Sequence, residues 1–491
     1  MSFDLPADVP TQLFLNGEFV DAKSGETFDS PNPATGQTLV TIQAAGQEDV
    51  DAAVANAREV FNSGVWSQKS PAERGEVLLA FAQAIEDNLE ELAQIEAIDA
   101  GKTITDCRDF DFPDVISTLR FYAQAADKVF GKVSPTGPDA LGYIVREPMG
   151  VVGAVLPWNF PAAMLMWKLA PALAAGNSVV VKPPELSSLT TLRLAQLAVD
   201  SGLPAGVMNV IPGLGHVAGK ALGLHMDVDL ISFTGSVRTG REFLRYSAES
   251  NLKEIVLELG GKSAQIVTES WKDDLATVAE DLAGAAFGNN GQNCTAGSLV
   301  LVHSSIKDEL TQALKAEAEK LVVGDPRDEK STNAALIEEK ALQRVSDYVD
   351  SAREDGATIV TGGERVLEET GGYFYAPTVI ADISPDAKAA QEEIFGPVTC
   401  VISFETEEEA LAIANGTDYG LAGTVWTKDV DQAIRMSRGF RAGTIAINGY
   451  SEGDMTTPFG GYKQSGFGGR DNGIEALEQF SQIKTIWYTV R

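Results

Sequence analysis

The sequence predicts an α/β protein built on parallel sheets, and two observations carry this prediction. From about Val151 onward, short β-branched segments alternate with helix-like segments, and the alternation resumes after Cys294. Such alternation is typical of parallel sheets covered by helices on both faces, so two α/β lobes are expected. At 491 residues the chain has room for about three lobes, taking roughly 150 residues per domain.

The strands of the first lobe are predicted from short apolar runs bounded by turn residues. These runs are Val151–Leu156, Ser178–Lys182, Val207–Ile211, Asp229–Thr234 and Ile255–Leu259. A helix is predicted at Leu189–Asp200, because its apolar residues recur at helical spacing and Gly202 follows as a stop signal.

The second lobe shows the same pattern after Cys294. Its predicted strands are Ser298–Val302, Thr358–Val360, Thr399–Phe404, Gly423–Trp426 and Thr444–Ile447. Two further predicted strands, Leu141–Arg146 and Lys484–Val490, lie outside both alternating blocks. They are placed to pair away from either sheet.

The net charge of the chain argues against two classes of partner. The chain carries 70 acidic and 38 basic residues, for a formal net charge of -32. A field of this sign repels nucleic-acid phosphates and anionic lipids, so neither nucleic acid nor membrane is an expected partner. Two interpretations of the acids stay open: a solvated surface, or a minority that steers cationic substrates.

Cysteine usage and the N-terminus predict a cytoplasmic protein. Only Cys107, Cys294 and Cys400 occur, without a CxxC arrangement, so neither a disulfide framework nor a metal site is expected. The segment Met1–Pro10 lacks the basic and apolar regions of a secretory leader, and no uncharged apolar run reaches ~18 residues.

Cys294 is the candidate nucleophile, because it lies in the Gly-rich and polar loop Phe287–Gly297. Glycines there indicate tight turns and close approach of a ligand. Cys107 and Cys400 are interpreted as buried packing residues.

A nucleophilic thiol needs a base, and the chain has only three histidines, none an evident partner. Glu258 is the candidate, since it is an acid inside an apolar strand that ends at two glycines. Burial would raise its pKa toward neutrality, as a general base requires. The alternative is an ion pair between Glu258 and Lys262.

Three further segments suggest a dinucleotide site and an oxyanion donor. Ser236 follows a predicted strand and opens a helix, whose N-terminus binds phosphate; alone this signal is weak. Lys182 and Glu185, separated by two prolines, are suited to ribose hydroxyls, and an acid there favours NAD over NADP. Solvated loop charges remain the alternative. Asn159, between aromatic residues and prolines, is either a turn former or a donor to an oxyanion.

Together these segments resemble the aldehyde dehydrogenase family over essentially the whole chain. The motifs that carry the resemblance are Pro157–Pro161, Lys182–Glu185, Phe233–Ser236, Glu258–Lys262, Gly291–Cys294 and Glu392–Pro397. The resemblance implies oxidation of an aldehyde to a carboxylic acid through a thiohemiacetal and a thioester on Cys294. Glu258 would be the base, and Asn159 with the Cys294 backbone N–H the oxyanion hole.

The resemblance also implies a cofactor, NAD, with NADP tolerance left open. The residues expected to bind it are Trp158, Lys182, Glu185, Gly235, Ser236, Leu259, Glu393 and Phe395. Lys182 is grouped with the catalytic residues as well. Val237 and Arg238 depart from the Thr-Glu that many relatives carry after Ser236, which bears on cofactor affinity. The presence of Glu258 argues against the CoA-acylating branch.

The family's fold implies three domains and a homo-oligomer. The expected division is an NAD-binding Rossmann-like domain at 1–126 and 149–258, a catalytic α/β domain at 259–465, and a small β oligomerisation arm at 127–148 and 475–491. Homodimer and homotetramer stay open.

Within the family, the run Asn448–Gly466 resembles bacterial γ-glutamyl-γ-aminobutyraldehyde and ω-aminoaldehyde dehydrogenases of polyamine breakdown. The residues expected to receive a cationic or polar tail are Asp111, Asp114, Trp167, Glu452 and Asp454. One alternative is a broad aliphatic or aromatic aldehyde dehydrogenase. Another is a non-catalytic NAD-binding relative, against which the presence of both Cys294 and Glu258 argues.

Overall fold

The computed structural model describes residues 5, 6 and 8–491. The prediction that Met1–Pro10 lacks the regions of a secretory leader therefore falls partly outside the described residues. The first residues of the predicted NAD-binding domain lie outside them as well. Within the described chain, no helix is both long and apolar enough to cross a membrane.

The strands, in chain order, are β1 (Leu13–Leu15), β2 (Glu18–Val20), β3 (Thr27–Pro31), β4 (Thr38–Gln43), β5 (Lys132–Ser134), β6 (Ala140–Pro148), β7 (Val151–Val155), β8 (Ser178–Lys182), β9 (Met208–Val210), β10 (Leu230–Gly235), β11 (Glu254–Leu259), β12 (Ala264–Val267), β13 (Leu299–His303), β14 (Thr358–Thr361), β15 (Thr378–Ala381), β16 (Val398–Phe404), β17 (Ala422–Trp426), β18 (Thr444–Ile447), β19 (Gly466–Phe467) and β20 (Ser481–Thr489).

The α-helices are α1 (Gln47–Ser63), α2 (Pro71–Asp87), α3 (Leu89–Ala100), α4 (Ile104–Asp106), α5 (Phe112–Ala125), α6 (Pro161–Ala175), α7 (Leu189–Asp200), α8 (Lys220–Leu224), α9 (Val237–Glu249), α10 (Leu275–Phe287), α11 (Lys307–Lys320), α12 (Glu339–Glu354), α13 (Lys388–Gln391), α14 (Glu407–Asn415), α15 (Val430–Gly439) and α16 (Glu475–Gln479). A π-helical turn at Cys107–Asp111 joins α4 to α5.

The first sheet has the order β19-β11-β10-β7-β8-β9-β1-β2, and β7 to β11 pair in parallel as the sequence predicts. Alternate side chains of β7 enter different cores: Val151 and Val155 pack with α1 and α9, and Val152 and Ala154 with α6. Helices therefore cover both faces. Because β7 lies between β8 and β10, strand order reverses there, and ligands bind beyond the carboxyl ends of strands at such a point.

The prediction of a wholly parallel sheet is wrong at the edges. β1 pairs antiparallel with β9 and β2, and β19 pairs antiparallel with β11. These strands have only two or three residues each, too few for a periodic pattern.

The second sheet has the order β14-β15-β16-β13-β12-β17-β18. It contains all five strands predicted after Cys294, together with β12 and β15, which the sequence reading missed. All its pairs are parallel except β14 with β15.

The two predicted strands outside the alternating blocks pair away from both large sheets, as predicted, and they pair with each other. β20 runs antiparallel to β6 from Ser481 opposite Pro148 to Thr489 opposite Ala140, and β5 completes this three-stranded sheet. Apolar side chains are exposed on it, among them Ile483, Trp487 and Tyr488.

Candidate active site

A cavity of about 380 Å³ opens at the carboxyl ends of β7, β10 and β11. The predicted catalytic residues Asn159, Glu258 and Cys294 all line it, as do five of the predicted substrate residues and six of the predicted cofactor residues. Lys182 and Glu185 are the predicted site residues that are not part of this lining. The three predicted catalytic residues in this lining lie up to 135 positions apart in the sequence, the separation of Asn159 and Cys294.

Cys294 lies in the loop before β13, packed closely against the exit of β11. A Cβ added to Gly261 would come within 2.3 Å of the Cys294 carbonyl oxygen, so only glycine permits this approach. Burial raises the pKa of the Cys294 thiol well above its usual value, and three carboxylates around the cavity raise it further: Glu452, Glu393 and Glu258. The resting thiol is protonated, and nucleophilic attack requires a base.

Glu258 lies near the end of β11, 3% exposed, and no side chain among the described residues donates a hydrogen bond to its carboxylate; the Gly461 backbone N–H is the donor that acts to lower its pKa. Burial raises its pKa well above the usual value, Asp471 adds to the rise, and Lys168 opposes it. The alternative ion pair is not formed, because Lys262 Nζ donates to the Ala389 carbonyl oxygen at 2.7 Å. An unpaired buried carboxylate of raised pKa is suited to accept a proton.

Asn159 is buried between β7 and α6, and its Nδ2 donates to the Gln292 carbonyl oxygen at 2.9 Å. An amide nitrogen carries two hydrogens, so this bond leaves one for a ligand. Asn159 is thus fixed as a donor beside Cys294.

Two residues that the sequence reading missed hold Asn159 in place. Lys102 Nζ donates to the Asn159 carbonyl oxygen at 3.1 Å and lies 3.9 Å from the centre of the Phe160 ring. Asn289 Nδ2 donates to the same oxygen at 3.0 Å and to the Gln292 carbonyl oxygen at 3.1 Å. The loops that carry Asn159 and Cys294 are therefore cross-linked by one amide.

The inner end of the cavity carries the residues predicted to bind a dinucleotide. Ser236 caps α9 by accepting from the Thr239 N–H at 3.3 Å, so the helix N-terminus faces the cavity. Trp158 and Phe395 meet edge to face, with ring centres 5.2 Å apart. Burial raises the pKa of Glu393 to about 7, although the Gly261 N–H donates to it at 3.0 Å.

Lys182 and Glu185 form a pair 3.1 Å apart at the end of β8. Burial lowers the pKa of Lys182. Burial acts to raise the pKa of Glu185, but the Lys182 ammonium and the Gly215 N–H outweigh it and lower that pKa. Neither side chain lines the cavity that holds Cys294, so Lys182 is placed away from the reacting thiol.

The outer end of the cavity is acidic and aromatic. Trp167 Nε1 donates to Asp114 Oδ2 at 3.1 Å, and the Trp167 ring packs edge to face on Phe459. Burial raises the pKa of Asp114 to about 6. Glu452 Oε1 accepts hydrogen bonds from Tyr450 at 2.6 Å, from Asn293 at 3.0 Å and from Thr295.

The other two predicted substrate acids have partners of their own. Asp111 lies 2.7 Å from the Lys102 ammonium, and both side chains are buried, so its charge is balanced internally. Asp454 is exposed and accepts from the Thr456 N–H at 2.8 Å and from its hydroxyl at 2.6 Å. Asp111 is thus the predicted substrate acid whose charge is balanced by a cation, whereas Asp114, Glu452 and Asp454 form no ion pair within the described chain.

Tyr450 is a further residue that sequence reasoning missed, although a signal existed. It lies two positions before Glu452, and in an extended segment side chains at i and i+2 point to the same side. Lys102 and Asn289 gave no such signal, because their partners are distant in the sequence.

Comparisons with known proteins show the family of this chain. The aldehyde dehydrogenase family model matches residues 19–486. An aminoacetaldehyde dehydrogenase of Pseudomonas aeruginosa is 47% identical over 480 residues, which are 98% of this chain and 96% of the relative. The NADP/NAD-dependent aldehyde dehydrogenase PuuC of Escherichia coli strain K12 is 45% identical over 482 residues, again 98% of this chain and 96% of the relative.

A solved structure extends the similarity to the fold. The crystal structure of a γ-glutamyl-γ-aminobutyraldehyde dehydrogenase from Burkholderia cenocepacia J2315 superposes with a TM-score of 0.96 at 48% identity, covering 99% of this chain and 97% of that one. As its motifs indicate, the chain belongs to the aldehyde dehydrogenase family.

Proposed function

We propose that this chain oxidises aminoaldehydes, free or γ-glutamylated and of the kind formed in polyamine breakdown, to carboxylic acids with NAD, and that it tolerates NADP. The observation that carries the proposal is one cavity with a thiol, an unpaired carboxylate and an amide donor at its base and acids at its outer end. The names of the relatives, aminoacetaldehyde and γ-glutamyl-γ-aminobutyraldehyde dehydrogenases, support it.

Cys294 is the nucleophile. Glu258 takes the thiol proton, the sulfur attacks the aldehyde carbon, and a thiohemiacetal forms. The free Asn159 amide hydrogen, with the Cys294 backbone N–H, donates to the oxygen as it gains charge. A donor of this kind is worth ~10²–10³ in rate. Glu258 then releases the thiol proton to solvent and deprotonates the water that attacks the thioester carbon, so that the carboxylic acid forms and the Cys294 thiolate leaves.

The inner end of the cavity fits a nicotinamide dinucleotide. Thr234 Oγ1 is buried without a hydrogen-bond partner in the described chain, and the N-terminus of α9 offers unpaired N–H groups to phosphate. The predicted cofactor residues Trp158, Gly235, Ser236, Leu259, Glu393 and Phe395 line this end. When bound, NAD⁺ accepts the hydride that converts the thiohemiacetal to the thioester.

The cofactor preference is assigned to Glu185. Its lowered pKa keeps it ionised at neutral pH. A carboxylate at the adenosine ribose favours hydroxyls and repels a 2′-phosphate, so NAD should be preferred over NADP. Lys182 neutralises part of that charge at 3.1 Å, which is consistent with tolerance of NADP.

The substrate class is assigned to Asp114, Trp167 and Glu452. Their carboxylates and aromatic face suit an ammonium or an amide N–H at the outer end of the cavity. A specific observation favours a second candidate, a broad aldehyde dehydrogenase: Phe110, Met164 and Phe459 give the same cavity apolar walls.

A substrate panel separates the two candidates. Values of kcat/KM for 4-aminobutanal, 4-(γ-glutamylamino)butanal and hexanal should favour the two nitrogen-containing aldehydes. If hexanal is preferred by about tenfold or more, the aminoaldehyde assignment is wrong. Running the panel with NAD and NADP tests Glu185 at the same time.

Cys294→Ala tests the chemistry itself. Removing the nucleophile should abolish NADH formation while NAD⁺ binding, measured by calorimetry, persists. Aldehyde-dependent NADH formation that survives in this variant contradicts the assignment.

We also propose a cytoplasmic setting, in which the three free thiols stay reduced.

We further propose three domains: an NAD-binding domain at 1–126 and 149–258, a catalytic domain at 259–465, and an oligomerisation arm at 127–148 and 475–491. The arm sheet exposes 58% of Trp487 and 64% of Ile483, and apolar patches of this kind mark interfaces. Trp487→Glu should shift a dimer or tetramer toward monomer in light scattering. Val430→Glu, at an equally apolar site with 71% exposure, is the control.

A further inference from the structure

A second cavity adjoins the first. It has a volume of about 700 Å³, and the two share Asp114, Gly453, Asp454 and Met455. We call it the vestibule. Its remaining lining residues are Glu86, Leu89, Pro113, Ile116, Ser117, Arg120, Phe121, Gln124 and Thr456. A substrate longer than the inner cavity would extend into the vestibule, because the walls are shared.

The vestibule carries charges of both signs. Glu86, Asp114 and Asp454 are its acids, and Arg120 is the cation among its described lining residues. Arg120 Nη2 donates to Glu86 at 2.7 Å, with side chains 42% and 44% exposed. An exposed pair of this kind contributes little to stability, and a guanidinium has five N–H donors, so Arg120 retains donors for an incoming anion.

The positions of Asp114 and Arg120 along α5 set the length that a substrate needs to reach Arg120. Asp114 and Arg120 are six residues apart on this helix, which corresponds to about 9 Å of axial rise. Asp114 borders both cavities, whereas Arg120 borders the vestibule alone. A short cation at Asp114 therefore leaves Arg120 unused, and only a longer tail reaches it.

We propose that the vestibule binds a substrate tail that ends in an amino-acid group, with an ammonium and a carboxylate on one carbon. Arg120 binds the carboxylate, and Glu86 and Asp454 bind the ammonium. A tail with a carboxylate alone would meet three acids and one cation, so the accompanying ammonium is what makes the charges complementary. This inference rests on the proposed aminoaldehyde function and assigns its preferred member to the γ-glutamyl class.

Three aldehydes and three variants test the proposal. The aldehydes are 4-(γ-glutamylamino)butanal, 4-(butanoylamino)butanal, which has the same amide but no terminal charges, and 4-aminobutanal. The variants are Arg120→Ala, Arg120→Lys and Arg193→Ala. Arg193 is a matched control, because it pairs with Glu91 and lines neither cavity.

The wild-type enzyme should prefer the γ-glutamyl aldehyde over the butanoyl analogue by about tenfold in kcat/KM. Arg120→Ala should remove that preference through KM, with kcat and all constants for 4-aminobutanal within about twofold of wild type. Arg120→Lys should keep part of the preference, and Arg193→Ala all of it. Retained activity on 4-aminobutanal shows that the variants fold.

The proposal is overturned if Arg120→Ala keeps the preference, or if it lowers kcat/KM for all three aldehydes alike. It is also overturned if wild-type enzyme uses 4-aminobutanal well but does not distinguish the γ-glutamyl aldehyde from the butanoyl analogue. That result leaves the aminoaldehyde function standing. A preference for hexanal over every nitrogen-containing aldehyde instead refutes the proposed function.

Discussion

Two glutamates of the same cavity, Glu258 near the end of β11 and Glu452 bonded to the loop that carries Cys294, are held very differently by the fold. Both raise the pKa of the Cys294 thiol, so both act on it electrostatically. Glu258 is 3% exposed and accepts no hydrogen bond from a side chain among the described residues. Glu452 Oε1, in contrast, accepts from Tyr450, Asn293 and Thr295.

The difference assigns their roles. A buried carboxylate without side-chain donors bears most of the desolvation penalty of its charge, so its free energy falls when it binds a proton. Binding a proton is the function of a general base. A carboxylate whose oxygen is engaged by three donors is fixed in position and is suited to bind a substrate group. The number of donors therefore distinguishes the role proposed for Glu258 from the role proposed for Glu452.

Glu258→Gln should have the largest effect on turnover. The amide keeps the shape of the side chain but cannot accept a proton, so hydrolysis of the thioester should slow by ~10²–10⁴-fold. Stopped-flow measurements should show a burst of NADH followed by slow turnover. An unchanged steady state would remove Glu258 as the base.

The variant Lys102→Met tests Asp111, a carboxylate of the same cavity that is paired with a buried cation. Asp111 would lose its partner at 2.7 Å, which should destabilise the fold by about 3–5 kcal/mol in urea denaturation. The Asn159 carbonyl would also lose a donor, so kcat should fall while the KM for NAD⁺ stays unchanged. The double variant Lys102→Met with Asp111→Asn should recover stability but not kcat. Equal kcat in the double variant and wild type would contradict the positioning role.

These examples show what a sequence reader can predict. Glu258 and Cys294 stand out because an acid in an apolar strand and a cysteine among glycines conflict with their surroundings. The parallel strands β7 to β11 were predictable because each is a buried run. Lys102 and Asn289 were not, because their function lies in contacts to a carbonyl group 57 and 130 positions away.

The edge strands and the ion pair of Asp111 show the same limit of prediction from sequence. β1 and β2 have three residues each; β1 is fixed by pairing with β9, and β2 by pairing with β1, rather than by their own pattern. Asp111 and Asp114 look alike in sequence, yet one faces Lys102 and the other Trp167. Which acid is free for a substrate is decided by packing between helices, which the local sequence does not specify.

The pH dependence of substrate binding should distinguish Asp114 from Glu258. Burial raises the pKa of Asp114 to about 6, so its carboxylate is charged above that pH and neutral below it. The KM for 4-aminobutanal, whose ammonium stays charged, should therefore rise by up to about tenfold per pH unit below 6. The KM for hexanal should not, and Asp114→Asn should abolish the difference. Parallel pH profiles for the two aldehydes would exclude Asp114 from binding.

Glu452→Gln should have the smallest effect on turnover. The direction in which it shifts the pKa of the Cys294 thiol is the informative result. Tyr450 and Asn293 can still donate to the amide oxygen, so the loop should keep its geometry. Removing the charge lowers the thiol pKa, because Glu452 is the carboxylate that raises it most. Iodoacetamide should then alkylate Cys294 faster at a given pH, by less than about tenfold, with the alkylation profile moved to lower pH. The same substitution should raise the KM for aminoaldehydes only a few-fold. A profile moved to higher pH would mean that Glu452 assists thiolate formation, and the distinction drawn between the two glutamates would fail.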